Sequence, residues 1–174
     1  VLLGSSLGDG SLRKVSAHKA AFRVAHAGKQ AGYMRWKHGM LEPFSRPVGK
    51  VGNGTGFETV AMPVLADLRA ELYDAQGARK ASAQILERLD ARGLAVWYGD
   101  DGSYSGSHAR WGEGKAVIRN KSFAGEAREQ VMATLERLGV GRPHDNGRVF
   151  QFNAEQTARL HAQIAHYLHE DVAY

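Results

Sequence analysis

Two stretches of this sequence end in the same tripeptide, and that duplication limits the fold more than any other feature. Leu2-Leu3-Gly4-Ser5-Ser6-Leu7-Gly8-Asp9-Gly10-Ser11 and Leu94-Ala95-Val96-Trp97-Tyr98-Gly99-Asp100-Asp101-Gly102-Ser103 are both short, apolar and rich in small residues, and both close on Asp-Gly-Ser. An internal repeat has to be found first, because missing it misassigns everything built on it. The parallel continues downstream. Segments with strand character follow each tripeptide, Ala21-Phe22-Arg23-Val24-Ala25-His26 and Ala116-Val117-Ile118-Arg119-Asn120.

Helical spacing comes next in both halves. The first helix is predicted from about Lys29 to Leu41, with Tyr33, Trp36 and Met40 on one face. The second runs from Ala124 to Leu138, with Val131, Leu135 and Leu138 doing the same. Arg46-Pro47 and Arg142-Pro143 then lead into the hairpin signals Gly52-Asn53-Gly54 and Asp145-Asn146-Gly147. Further strands are expected over Gly56 to Met62 and Arg148 to Asn153, and closing helices over Val64 to Tyr73 and Glu155 to Tyr167. The predicted fold class is α+β, two pseudosymmetric αββαββα repeats with antiparallel sheets, divided as 1–85 and 86–174. Because the chain begins at Val1, already inside the first motif, it reads as part of something longer.

Composition narrows the partners. Hydrophobic residues at 43% are enough for a packed interior, and no run of apolar residues is long enough to span a membrane. With no cysteine there is no disulfide, no thiolate nucleophile and no Cys-based zinc site. No signal peptide is visible, so an intracellular, non-secreted protein is expected. The net charge of +5 favours a polyanionic partner, and its distribution strengthens that reading. Leu12 to Lys37 carries Arg13, Lys14, Lys19, Arg23, Lys29, Arg35 and Lys37 with no acidic residue.

Each motif reads as a helix ending at Asp9 or Asp101, before a glycine able to take a left-handed exit. A carboxylate there meets the negative end of the helix dipole. Gly4 and Gly8, and likewise Ala95 and Gly99, give each helix a small-residue face that permits close approach. If the two helices pack about a pseudo-twofold axis, Asp9 and Asp101 converge and repel unless a cation lies between them. Mg²⁺ takes one or two carboxylates plus waters and phosphate oxygens, an arrangement suited to phosphodiester hydrolysis.

The two nonamers, Leu2 to Gly10 and Leu94 to Gly102, resemble the motifs of single-chain LAGLIDADG homing endonucleases. Trp97-Tyr98-Gly99-Asp100-Asp101-Gly102 is especially similar to their second motif. The resemblance covers nearly the whole chain. It implies a monomeric pseudodimer whose saddle-shaped sheets lie along the DNA major groove. It also implies Mg²⁺-dependent cleavage of both strands at a long, non-palindromic site, leaving short 3′ overhangs, with Mn²⁺ able to substitute and Ca²⁺ supporting binding only. Asp9 and Asp101 take the catalytic, metal-binding position, with Gly8 and Asp100 beside them in the ligand set. Lys80, in Gly77-Ala78-Arg79-Lys80, matches the family's basic residue near the active site, and its counterpart falls at or just beyond Tyr174. The helix contact is expected to be asymmetric, because Val96 and Asp100 stand opposite Gly4 and Gly8.

A two-stranded ribbon reads base edges from the major groove, so polar residues on strands and hairpins are the candidate DNA contacts. In the first half these are Arg13, Lys14, His18, Lys19, Arg23, His26, Arg46, Lys50 and Asn53. In the second they are Ser105, His108, Arg110, Lys115, Arg119, Arg142, His144, Asn146 and Arg148. His161, His166 and His169 read as surface or packing residues. Double-stranded DNA is the expected partner. A maturase acting on intron RNA, a catalytically silent DNA binder on the same scaffold, and the endonuclease part of an intein are the alternatives.

Overall fold

The structure, a computed structural model, describes residues 1–51, 53–105, 114–120, 123 and 125–173. The chain runs α1 (Leu2–Leu7), β1 (Ser11–Lys14), β2 (Ala20–His26), α2 (Ala31–Leu41), β3 (Gly49–Val51), β4 (Gly54–Glu58) and α3 (Pro63–Leu72). A short α4 (Ala83–Leu86) leads into α5 (Ala91–Asp101), β5 (Gly102–Ser105), β6 (Lys115–Arg119), α6 (Glu126–Arg137), β7 (His144–Asp145), β8 (Val149–Gln151) and α7 (Ala154–Ile164). Two antiparallel four-stranded sheets result, ordered β1-β2-β4-β3 and β5-β6-β8-β7, so the second half repeats the topology of the first.

Local chemistry sets the element ends. Asp90 accepts from the Gly93 amide at 2.7 Å to start α5, and Asn153 and Gln156 form a reciprocal capping box on α7. Pro63 opens α3 in the first turn, where its missing N–H costs nothing. Alternation along β2 turns Phe22 and Val24 inward and Arg23 outward, and in β6 Ala116 and Ile118 do the same against Lys115 and Arg119. The inward faces rest on the closing helices. Trp97, fully buried, meets Phe123 and Phe150 edge-on with centroids 5.8 and 6.4 Å away. Truncating such a side chain to alanine costs about 3–5 kcal/mol.

The halves meet where α1 packs on α5. A Cβ on Gly4 would lie 2.1 Å from the Gly93 carbonyl oxygen and 3.0 Å from Val96 Cβ, and one on Gly8 would lie 2.5 Å from Asp100 Cβ. Gly4 with Val96 and Gly8 with Asp100 are the positions that the repeat equates, so the seam follows the pseudo-twofold axis and is asymmetric in its side chains, as expected. The small residue facing Gly4 is Gly93. Gly99 turns instead toward Tyr33 and Val172.

Several expectations need correction. Gly10 and Gly102 do not exit through the left-handed region; Gly102 is extended at φ −80°, and neither has positive φ. They are glycines for want of room: a Cβ on Gly10 would meet the Phe22 ring at 2.5 Å, and one on Gly102 the Tyr98 carbonyl oxygen at 2.3 Å. The motif helix of the first half stops at Leu7, two residues short of Asp9, whereas α5 continues through Asp101. The first-half strand β4, which lies inside the sheet between β2 and β3, spans Gly54–Glu58, earlier than Gly56 to Met62, with Gly54 already paired to Val51. On α2, Met40 is exposed and Lys37 is buried in its place, one turn after Tyr33.

Candidate active site at the foot of the two motif helices

Asp9 leaves α1 with its side chain 41% exposed, at the mouth of the seam. Asp101 ends α5, half-buried. Burial, and then the neighbouring carboxylates of Asp9 and Asp100, push the Asp101 pKa up to about 6, with Arg79 and Arg119 acting in the opposite direction. Three carboxylates therefore crowd one end of the helix pair. Two like charges this close raise each other's cost of ionisation, and a nearby cation relieves it.

Arg79 supplies part of that relief. Its guanidinium donates to the carbonyl oxygens of Leu7, of Gly8 at 2.6 Å and of Gly10 at 3.0 Å. These are buried acceptors without an intrahelical partner at and just beyond the negative end of α1, so a cation fixed there offsets the helix dipole under Asp9. Lys80, the residue expected beside the site, is exposed and lies along a groove with Ser82, Glu126, Ala127 and Gln130. Gly8 contributes a backbone carbonyl that already accepts from Arg79.

Asp100 is wholly buried and fully bonded. Its carboxylate pairs with the Lys37 ammonium, and it accepts from Ser5 Oγ at 3.1 Å and from the Asp9 amide at 3.4 Å. Lys37 is equally buried and lies 4.3 Å from the centroid of the Tyr33 ring. Burial pulls the Lys37 pKa down and pushes that of Asp100 up, and their mutual attraction opposes both shifts. His26 joins them: Nε2 is 3.0 Å from Lys37 Nζ, and Nδ1 is 3.3 Å from Asp9 Oδ2. Asp9, His26 and Asp100 each offer a metal-ligating atom, and the three atoms lie within 4.8 Å of one another. Within that triangle the Lys37 ammonium already holds Asp100 and His26.

His26, one of the candidate DNA contacts, is the one among those on described residues that is buried. It is 4% exposed, because alternation along β2 turns it to the core side beneath Asp9. Lys37 carried no site signal in the sequence beyond its place in the basic run. The usable clue was its spacing of four from Tyr33, which puts an ammonium on the buried face of α2.

The other candidate contacts that fall on described residues are exposed. Ladder register places Ser11, Arg13 and Arg23 on one outward face of the first sheet. It places Ser105, Lys115, Arg119 and His144 on the corresponding face of the second. Arg13 pairs with Glu58 at 2.5 Å, and Arg142 pairs with Glu129, both on the surface. Lys14 ends β1, with His18 and Lys19 between it and β2; Lys50 lies within β3 and Asn53 between β3 and β4; Asn146 and Arg148 lie between β7 and β8, and Arg46 just before β3. His108 and Arg110 lie outside the described residues. Among the described residues, no helix is long and apolar enough to cross a membrane.

Comparison with known proteins gives a consistent result. RecA of Mycobacterium shimoidei is 34% identical over 108 residues, covering 60% of this chain and 26% of that protein. RecA of Mycolicibacterium fallax is 29% identical over 184 residues, covering 95% of this chain and 42% of that protein. The chain thus spans less than half the length of these curated relatives. Among solved structures, the homing endonuclease I-WcaI bound to its DNA recognition sequence superposes with a TM-score of 0.82 at 14% identity, covering 98% of this chain and 81% of that one. I-DmoI in complex with DNA and Mn gives 0.55 at 18% identity, covering 94% and 93%. At these identities the likeness is one of fold. The profile of the LAGLIDADG DNA endonuclease family matches residues 1–160, and with the duplicated motifs and the twinned sheets it establishes that this chain belongs to that family.

Proposed function

We propose that this chain is a site-specific, divalent-metal-dependent double-strand DNA endonuclease. The observation that carries this reading is the gathering of Asp9 and Asp101 at one end of the α1–α5 seam, where the Asp9 amide lies 3.4 Å from Oδ2 of Asp100, the residue before Asp101, between two sheets whose outward faces carry arginine, lysine and histidine. Carboxylates so placed would only repel phosphate without a cation. The half-exposed carboxylate of Asp9 and that of Asp101, whose pKa is raised to about 6 by burial and by the neighbouring acids, are the groups that fit one. A bound Mg²⁺ or Mn²⁺ supplies Lewis acidity to the attacking water and to the leaving oxygen.

The chain's own residues do the rest. Arg79 and Arg119 offset the negative charge around Asp101. Arg13, Arg23, Lys115 and Arg119 lie where each sheet would meet backbone phosphates, and such contacts set register and orientation. Lys80 is assigned a part in cleavage near the scissile phosphate. The side chains of the two halves differ at most outward positions, so the target is a long, non-palindromic site, cut across the minor groove to leave short 3′ overhangs. The repeats divide as 1–85 and 86–174, and the protein acts as a monomer. A match to part of longer proteins named RecA fits an endonuclease unit carried within a host protein, as in an intein.

The test is incubation with a randomised duplex library in Mg²⁺, followed by sequencing of the ends produced. Double-strand breaks at one long motif, lost with EDTA and with Asp9→Asn, are the expected result. Retention of one sequence without cutting makes the protein a binder. Selection of folded intron RNA over any duplex makes it a maturase.

A further inference from the structure

We infer that Lys37 and Asp100 fix the tautomer of His26, so that its Nδ1–H holds Asp9 in one orientation; Lys37 and His26 are thus positioning residues for one of the two carboxylates. This rests on the endonuclease reading for its consequence, though not for its geometry. An ammonium has three donors and no acceptor. With Lys37 Nζ 3.0 Å from His26 Nε2, that nitrogen must accept, and the ring proton must sit on Nδ1. Nδ1 lies 3.3 Å from Asp9 Oδ2, so the proton is directed at the carboxylate. The ammonium is held by the buried Asp100 carboxylate, whose second oxygen accepts from Ser5 Oγ and the Asp9 amide. A chain of donors thus runs from the core of the seam to Asp9. It leaves one Asp9 oxygen engaged and the other available to a cation. Outer partners of this kind set the direction and basicity of a metal-binding group.

The second half is wired differently. The strand registers equate His26 with Asn120: Ser11 pairs with Arg23 and Ser103 with Val117, and each buried residue lies three further along its strand. Asn120 is fully buried too, yet its Nδ2 donates to Asp145 Oδ1 at 2.6 Å, away from the seam. Asp101 sits instead in the field of Arg79 and Arg119. The two carboxylates therefore have unequal support.

The experiment has two arms. The first is ¹⁵N NMR of the metal-free protein labelled at histidine, with the His26 signals assigned by their loss in His26→Asn. The parent should show a protonated Nδ1 and a bare Nε2. Lys37→Met should move the ring toward the Nε2–H form. The Lys37→Met/Asp100→Asn pair, which leaves no buried charge unmatched, should do so even if the single variant folds poorly. An Nε2–H ring or an imidazolium in the parent overturns the proposal, as does an unchanged tautomer in the double variant. The second arm is single-turnover cleavage of a selected site. The amide nitrogen of Asn superposes on Nδ1 and that of Gln on Nε2. His26→Gln should therefore slow cleavage about 10–100-fold, the usual cost of losing an outer partner, and His26→Asn, which restores the donor at Nδ1, should recover part of that loss. Equal losses, or the reverse order, overturn it. A parent that cuts no DNA sinks the endonuclease reading alone, since the tautomer arm still decides this one.

Discussion

The two halves share a backbone plan and differ in what lies beneath their acids. In the first half α1 stops short of Asp9, its terminal carbonyls are occupied by Arg79, and the carboxylate is met from below by His26. In the second half α5 runs through Asp101, and burial, with the neighbouring carboxylates adding to it, pushes that pKa up to about 6. Topology is preserved because hydrophobic alternation and turn chemistry preserve it, and neither constrains the polar groups at the seam. A pseudo-twofold fold can thus hold two chemically distinct carboxylates at equivalent positions.

The sharpest way to break this comparison is to neutralise each acid in turn. Asp9→Asn and Asp101→Asn should each lower cleavage by more than about 100-fold, because losing a metal-holding group exceeds the loss of an outer partner. Binding of the selected duplex in Ca²⁺ should persist in both. If either variant loses binding and cleavage alike, that residue is part of the scaffold and the catalytic assignment fails.

The seam offers the next largest effect. A Cβ on Gly4 has the Gly93 carbonyl oxygen 2.1 Å away, and backbone cannot step aside as a flexible side chain can. Gly4→Ala should destabilise the fold by about 1–3 kcal/mol, the usual cost of overpacking. Gly39, on the exposed side of α2 with nothing within reach of a Cβ, is the control. Gly39→Ala should be neutral or stabilising by up to about 1 kcal/mol. Equal melting shifts for the two variants would show that α1 and α5 are not in close contact.

Arg79 and Lys80 are adjacent and separate scaffold from chemistry. Arg79→Ala frees the α1 carbonyls and should cost about 1–3 kcal/mol of stability. Lys80→Ala, at an exposed side chain, should leave the melting temperature nearly unchanged and slow cleavage more than it weakens binding. Equal losses in cleavage and binding would reduce Lys80 to a phosphate contact.

How much of this was legible in the sequence follows from the range of the interactions. The repeat, the order of strands and helices and the convergence of Asp9 with the second motif were all readable, because periodicity and turn residues are local signals. The buried chain was not. His26 ends a strand, Lys37 lies mid-helix and Asp100 comes from the other half, 63 residues beyond Lys37, so only tertiary packing brings them together. His26 reads as a candidate DNA contact because it is polar and on a strand, whereas its burial follows from which face of β2 turns inward with Phe22 and Val24. Gly10 and Gly102 were rightly singled out for the wrong reason: the constraint is space against Phe22 and Tyr98, which no backbone preference encodes. Gly93 carried no signal at all until the Gly4 contact was seen.

The smallest effect compares the two outward sheet faces as DNA surfaces. Each phosphate contact contributes about 0.9 to the slope of log affinity against log salt. Arg23 and Lys115 are exposed on the outward faces of the first and second sheets. Replacing either by alanine should reduce that slope by about one and weaken binding to all sequences alike. Arg159 is an equally exposed arginine paired with Glu155 on α7, which covers the opposite, core side of the second sheet. Arg159→Ala should leave the slope unchanged. The slopes are read from binding titrations of the selected duplex in Ca²⁺ at several salt concentrations. A fall for Arg23 but not Lys115 would mean that only the first sheet grips the backbone, extending the inequality of the two halves from the acids to the DNA surface. An equal fall for Arg159 would place the DNA somewhere other than across the paired sheets.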